Sequence, residues 1–197
     1  MIISSLKVLE LNEKYHLVEG LGERDSTNPE GVGLDLRVGQ VHLLKGNSFL
    51  GADETGGKRY SSETDLIRDI GRDRNRMIIM SPGDYFLVTT METIHSPNEK
   101  IDIGYGLPPV YLMPRIYPRT SLQRAGVNLI ATKTDPGYIG KLTFGLKNVG
   151  TQDFEFELGA RMFNLVFELV LGDINRPYTG QHQGGRVTSH GVTETQT

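Results

Sequence analysis

The spacing of apolar and polar residues predicts a chain made mostly of short strands. Residues 33–44 alternate between the two classes, as a strand with one buried face does. Two further apolar stretches, residues 77–80 and 85–90, flank residues 81–84, where proline and glycine occupy the positions that turns favour. This arrangement predicts two antiparallel strands joined by a tight turn.

The second half of the chain continues the same pattern. Further strands are predicted at residues 110–117, 142–148, 153–158 and 163–171. Strands that recur at intervals of about 8–12 residues are typical of a sandwich or barrel and not of alternating strand–helix units. The exception is the beginning of the chain, where serines precede an apolar run and predict a short capped helix over residues 4–11.

Three segments lack the pattern of a core. Residues 20–31 read as loop, and residues 45–76 contain a polar loop at 51–58 and a charged run at 67–76. The charged run is interpreted as a solvated face, with a subunit or partner contact as the alternative. We therefore expect a single domain over residues 1–177.

The last segment, residues 178–197, is rich in Gly, Gln, Thr and Ser and has almost no apolar residues. Such a composition cannot bury enough surface to order itself. It predicts a flexible C-terminal tail, which is either disordered or becomes ordered over a ligand or a neighbouring subunit.

Composition narrows the class of partner. The 197 residues carry a formal net charge of −3, which does not favour nucleic acid or an anionic membrane as partner. The absence of cysteine excludes disulfides and thiolate metal sites, and the five histidines show no ligand spacing. The first residues lack the features of a signal peptide, and no apolar run approaches the roughly 18 residues of a membrane span. We expect a cytoplasmic protein that provides no metal ligands of its own.

Residues 118–124 are the first candidate for chemistry. Arg119, Thr120, Ser121 and Arg124 place two guanidinium groups and two hydroxyls within six residues, and both groups bind phosphate oxygens. If Thr120 opens a helical turn, backbone N–H groups add to them. The alternative is a surface loop with a helix cap, because the Arg-Thr-Ser string alone is weakly specific.

The second candidate is the Asp-Pro-Gly turn at residues 135–137. Asp135 is either an ordinary turn residue or a general base for a water that attacks phosphorus. Tyr138 follows as a possible wall against a sugar or base. Asp35 interrupts the apolar rhythm of its strand, although outward alternation explains it equally well.

The order of the motifs is more specific than any of them alone. The chain resembles the dUTPase and dCTP deaminase superfamily, and within it the dCTP-deaminase-like branch. The segments that carry the resemblance are residues 34–36, 81–87, 119–126, 135–140, 159–165 and 178–186.

The resemblance implies a distorted β-barrel or jelly-roll subunit within a homotrimer, with active sites between subunits. A phosphate loop of one subunit holds a deoxynucleoside triphosphate that carries Mg²⁺, a neighbour's hairpin holds the base and deoxyribose, and the tail closes over them. It assigns phosphate binding to Arg119, Thr120, Ser121, Arg124 and Gln183, and nucleoside binding to Asp135, Tyr138, Gly145 and Ala131. Tyr138 would stack on the deoxyribose and exclude a 2′-hydroxyl.

One departure from the family pattern separates two activities. The family's deaminases place a glutamate ten residues after the hairpin aspartate, and here that position is Gly145. A glycine cannot move a proton, whereas general acid–base catalysis contributes about 10²–10⁴-fold. The resemblance therefore favours a dUTP diphosphatase with Asp135 as the catalytic residue. We also expect the glycine to leave room beside the base for main-chain recognition of uracil.

Alternative functions remain open. The chain could be a dCTP deaminase, or a bifunctional dCTP deaminase and dUTPase, with a replacement acid. It could also be a pyrophosphatase that prefers another deoxynucleotide. The third alternative is a catalytically idle relative that binds nucleotide or a protein partner and regulates.

Overall fold

The computed structural model describes residues 1–52 and 56–195 and consists mainly of antiparallel strands, with a helix near the N-terminus. This confirms the predicted all-β class. The strands are β1 (Val18–Glu19), β2 (Leu34–Lys45), β3 (Phe49–Leu50), β4 (Lys58–Tyr60), β5 (Glu63–Asp69), β6 (Met77–Met80), β7 (Tyr85–His95), β8 (Tyr111–Pro118), β9 (Val127–Ile130), β10 (Ile139–Asn148), β11 (Phe154–Glu157), β12 (Arg161–Val170) and β13 (Glu194–Thr195). The helices are α1 (Ser5–Tyr15), α2 (Glu23–Thr27) and α3 (Thr120–Arg124).

The main sheet has the strand order β8-β12-β2-β7-β10-β9, with β1 and β5 pairing outside this path with β7 and β2. Its two outermost strands, β8 and β9, contact each other and are joined by α3. The sheet thus nearly closes on itself, which confirms the predicted barrel. Two small sheets, β11-β6 and β13-β4-β3, complete the fold.

The core lies inside this curved sheet and follows from the alternation in the sequence. Leu36 and Val38 of β2, and Phe163 and Phe167 of β12, are completely buried. The rings of Phe144 and Phe163 pack with centroids 4.7 Å apart and bring β10 and β12 together across the interior. The inward positions of consecutive strands therefore form one continuous core.

The N-terminal helix begins where serine predicts it. The Ser4 hydroxyl accepts a hydrogen bond from the Lys7 amide at 3.3 Å, and Val8 and Leu11 are buried against the sheet. The helix ends four residues later than predicted, at Tyr15, because no helix-breaking residue follows Leu11. His16 closes it in the left-handed conformation.

Residues 20–31 are not entirely loop, so that prediction was wrong in part. The short helix α2 forms there, with Glu23 and Asp25 in its first turn, where negative charge is favourable. The hydroxyls of Ser26 and Thr27 donate to the Glu23 carbonyl at 2.9 and 2.7 Å. These local hydrogen bonds favour a helical turn over a segment that looks like loop in sequence.

Residues 45–76 also contain more regular structure than predicted. Strand β5 pairs with β2 along the main sheet, so the charged run at 67–76 begins inside a strand. Asp69 accepts hydrogen bonds from the Gln40 side chain at 2.8 Å and from the Gly71 amide at 2.7 Å. The beginning of the run is therefore attached to the barrel. The predicted polar loop at 51–58 lies partly outside the described residues.

The tail lies against the body of the same chain over residues 178–195. Thr188 and Ser189 are buried, and Ser189 Oγ accepts a hydrogen bond from the Ser61 amide at 2.8 Å. Strand β13, near the end, pairs with β4. The division into a body of residues 1–177 and a flexible tail of 178–197 stays a prediction, and residues 196 and 197 lie outside the described part of the chain.

Candidate functional site

A groove of about 480 Å³ opens where β7, β9, β10 and the tail meet. Its apolar wall comes from Leu87, Ile130 and Leu142. Polar and charged groups line the remainder, among them Thr143, Lys133, Asp135, His182 and Arg186. A flat apolar wall with a few polar groups is the usual character of a small-molecule site.

The hairpin at residues 135–140 forms one end of this groove, and its sequence determines its shape. The Tyr138 amide donates to the Asp135 carbonyl at 3.2 Å across the predicted turn, and Gly137 has a φ of +98°. Gly140 is required by a neighbour, because a Cβ there would lie 2.4 Å from the Gly185 amide nitrogen of the tail. The hairpin and the tail are therefore shaped to fit each other.

Asp135 lies at the edge of the groove with 41% of its side chain exposed. Its carboxylate forms an ion pair with the Lys133 ammonium group. This position leaves the carboxylate accessible to water and to a ligand. Both interpretations of Asp135, turn residue and catalytic residue, are compatible with this position, and its catalytic role stays a prediction.

Tyr138 is buried and fixed in the wall of the groove. Its hydroxyl donates to the Lys141 carbonyl at 2.5 Å, and its ring meets the Tyr178 ring edge-on with centroids 5.7 Å apart. Burial, assisted by Tyr178, raises the pKa of Tyr138 to about 12. Tyr138 is thus a neutral aromatic side chain held in place at the groove, and its stacking on a deoxyribose stays a prediction.

Gly145 lies in the middle of β10, between Leu87 of β7 and Ile130 of β9. The expectation that this glycine leaves room beside the base was wrong. A Cβ at position 145 would lie 2.3 Å from the Tyr85 hydroxyl oxygen, so the phenol of Tyr85 already fills that space. The sequence gives no direct sign of this contact, because it depends on the register of two strands that are distant in sequence.

The tail provides the upper side of the groove. The Gln183 side chain accepts from the Ile139 amide at 3.1 Å and donates to the Gly137 carbonyl at 2.8 Å. In this structure the Gln183 amide therefore joins the tail to the hairpin, and its predicted contact with phosphate stays a prediction.

Arg186 is a groove residue that the sequence analysis did not single out. Its guanidinium group contacts Glu194 at 2.5 Å and donates to the Thr188 carbonyl at 3.0 Å. These contacts hold a cation at the groove. The sequence feature that could have indicated Arg186 as a groove residue is its position directly after Gly184 and Gly185 of the tail.

The predicted phosphate loop lies elsewhere on the chain. Arg119 and Thr120 line a second cavity of about 430 Å³ together with Asp35. Arg119 Nε lies 3.3 Å from Asp35 Oδ2, and Arg161 approaches the same oxygen at 3.4 Å. Asp35 is thus a buried carboxylate that forms ion pairs with both Arg119 and Arg161.

The other members of the predicted site are on the surface. Ser121 and Arg124 are exposed on α3, which forms the helical turn that the sequence predicts. Ala131 is also exposed, although its neighbours Ile130 and Thr132 line the groove. Within one chain, Arg119 and Thr120 therefore line a different cavity from the hairpin residues Asp135 and Tyr138, and Ser121 and Arg124 line neither.

Two further properties concern metal ions and membranes. Over residues 1–52 and 56–195, no group of three or more histidine or acidic side chains could hold a metal ion. Within the same ranges, no helix combines the length and apolar character that are needed to cross a membrane.

Comparison with known proteins connects this geometry to a family. A family model described as dCTP deaminase-like matches residues 2–170. A protein of Coprothermobacter proteolyticus named "dCTP deaminase, dUMP-forming" is 30% identical over 158 residues, which are 76% of this chain and 77% of that protein. A dCTP deaminase of Halorubrum lacusprofundi is 29% identical over 195 residues, covering 94% of this chain and 85% of the relative.

Solved structures agree at the level of the fold. The 2'-deoxycytidine 5'-triphosphate deaminase of Agrobacterium tumefaciens superposes with a TM-score of 0.58 at 15% identity. The match covers 86% of this chain, which spans about half of that protein (48%). The native dUTPase of EIAV matches with a TM-score of 0.40 and 16% identity, over 71% of this chain and 98% of that one, which is too weak to support an argument.

Proposed function

The chain belongs to the dCTP deaminase-like family, and on that premise we propose that it hydrolyses dUTP to dUMP and pyrophosphate. The observation that carries the choice of reaction is at Gly145. This position has no acid, and the Tyr85 phenol occupies its space. Among the described residues that line the groove, Asp135 is the only one that carries a carboxylate.

The charges around Asp135 support hydrolysis at a phosphate. Lys133 and Arg186 line the same groove and would attract the triphosphate, while the half-exposed carboxylate of Asp135 can orient a water. In the proposed step, the water oxygen bonds to the α-phosphorus and the bond to the α,β-bridging oxygen breaks. The proton of the water passes to Asp135, and pyrophosphate leaves.

The phosphate loop completes the site from another subunit of a homotrimer. Arg119, Thr120, Ser121 and Arg124 do not line the groove of their own chain, which supports a site in which a neighbouring subunit provides the groove. A Mg²⁺ ion carried by the triphosphate would offset negative charge on its oxygens. The proposal needs no protein ligands for it.

Deamination of dCTP is the second candidate, and the names of the relatives support it better than they support hydrolysis of dUTP. Both curated relatives described above are named dCTP deaminase, one of them with the qualifier dUMP-forming. For this activity Asp135 would have to activate the water that attacks the base. Hydrolysis of the triphosphate requires fewer catalytic groups in the groove than deamination does, because it needs no acidic side chain beside the base.

A panel of nucleotides distinguishes the candidates. The full-length protein is incubated with Mg²⁺ and dUTP, dCTP or dTTP, and pyrophosphate and ammonia are measured in parallel. We expect pyrophosphate from dUTP and no ammonia from dCTP. Ammonia from dCTP at a rate near that of pyrophosphate release would establish the second candidate. Tight binding of nucleotide with neither product would identify an idle binding protein.

A further inference from the structure

Tyr85, the first residue of β7, lines the groove where it meets Gly145. We propose that Tyr85 selects the base, by donating its hydroxyl hydrogen to the exocyclic carbonyl of uracil. This inference rests on the proposed nucleotide site in the groove. It assigns specificity to a side chain, whereas the sequence suggested recognition by the main chain alone.

The first support is the close fit of Tyr85 to Gly145. A Cβ at position 145 would meet the phenol at three atoms, the hydroxyl oxygen at 2.3 Å and two ring carbons at 2.9 and 3.0 Å. Gly145 does not have a positive φ, so its backbone would accept another residue. The glycine is therefore required by the ring that lies over it, and the two residues form one structural unit.

The second support is the position of the phenol in the groove. Tyr85 and Leu87 lie two residues apart on β7 and therefore share a face of the sheet, and Leu87 is paired with Gly145. Leu87, Ile130 and Leu142 line the same groove as Tyr85 and give it apolar surface. Apolar side chains together with a hydroxyl suit a flat ring that has a polar edge.

The third support is the chemistry of the hydroxyl. Among residues 1–52 and 56–195, Tyr85 makes no side-chain hydrogen bond, so its proton is available to a ligand. Burial raises the pKa of Tyr85, which keeps the phenol protonated and able to donate. A carboxylate at position 145 could only accept a hydrogen bond and would favour an amino group. A phenol hydroxyl can donate and accept, but its oxygen lone pair is delocalised into the ring, so it donates more strongly than it accepts. It therefore favours a carbonyl, which uracil has at the position where cytosine has an amino group.

Binding measurements separate this inference from the proposed function. The dissociation constants of α,β-imido-dUTP and α,β-imido-dCTP are measured by calorimetry for the full-length protein and for Tyr85→Phe, which keeps the ring and removes the hydroxyl. Tyr15→Phe on α1 is the matched control. We expect Tyr85→Phe to weaken binding of the uracil analogue about 3- to 10-fold, as the loss of one hydrogen bond does. The cytosine analogue should change by less than about twofold, and the control should leave both unchanged.

The outcomes are distinct. If the parent protein binds the uracil analogue more tightly and Tyr85→Phe leaves the ratio of the two constants unchanged, the role of Tyr85 is wrong and the nucleotide site stands. If the parent protein binds neither analogue, both proposals fail.

Thermal unfolding without ligand tests the fit of the two residues. Gly145→Ala should lower the melting temperature in the parent protein and have little effect in a Tyr85→Ala background, where the ring is absent. If Gly145→Ala lowers the melting temperature equally in both backgrounds, the Tyr85 ring is not the reason that position 145 requires glycine.

Discussion

At the scale of single residues, the sequence predicts what a local motif determines. Asp135 and Tyr138 could be placed at a ligand site because a turn sequence fixes their spacing, and the structure puts both at the groove. Tyr85 could not be predicted, since its contact with Gly145 depends on how β7 and β10 pair. The same turn sequence fits both a turn-forming and a catalytic aspartate, so only an experiment can separate these two interpretations of Asp135.

Replacement of Asp135 by asparagine distinguishes a catalytic residue from a turn residue. Asparagine keeps the size and the turn-forming side chain but removes the proton acceptor. We expect dUTP turnover to fall by at least about 10²-fold, while calorimetry shows that α,β-imido-dUTP binds at least as tightly as to the parent. A variant with the parent rate would show that Asp135 only forms the turn.

His42 predicts how stability depends on pH. Burial, and secondarily the nearby His190, lowers the pKa of His42 below its ordinary value of 6.5, although Asp69 opposes this. The unfolded chain therefore binds the proton more readily, and the folded state loses stability as pH falls below about 6.5. We expect the melting temperature to fall more between pH 7.5 and 5 in the parent than in His42→Gln. Equal pH profiles would contradict this assignment.

At the scale of elements, long alternating runs were predicted well and short or charged segments were not. Strands β2, β7, β8 and β12 follow from their apolar pattern, because one face of each packs into the core. Helix α2 depends on a few local hydrogen bonds, and β5 owes its order to pairing with β2, which its charged residues do not reveal. Where the sequence pattern of a segment is weak, pairing with other strands determines its secondary structure.

The contact between the tail and the hairpin gives a prediction at the same scale. Gln183→Ala removes both side-chain hydrogen bonds to the hairpin but leaves the backbone bond from the Gly184 amide to the Ile139 carbonyl. We expect faster hydrogen exchange at the Ile139 amide and across residues 178–195, with the melting temperature changed little because Gln183 is exposed. Gln152→Ala, an exposed glutamine in another loop, is the control. Unchanged exchange would mean that Gln183 does not hold the tail.

At the scale of the whole molecule, the main result is that the predicted phosphate residues and the hairpin residues do not line one cavity. One chain has a groove with Asp135 and Tyr138, and a separate cavity with Arg119 and Thr120. The motifs predict the candidate residues but not that one chain places them in different cavities, because that depends on the closed sheet. A homotrimer that joins loop and groove from different subunits would unite them.

Mixing two inactive variants tests this account most directly. Asp135→Asn impairs the groove and leaves the loop intact, whereas Arg124→Ala impairs the loop and leaves the groove intact. The two are co-expressed with different affinity tags, assemblies carrying both tags are isolated, and pyrophosphate release from dUTP is measured. If loop and groove come from different subunits, each trimer that carries both tags has both halves intact at one of its three sites, so about a third of the sites are restored and activity rises far above that of either variant alone. Activity no higher than the average of the two variants, or a failure to form mixed assemblies, would contradict a hydrolytic site shared between subunits.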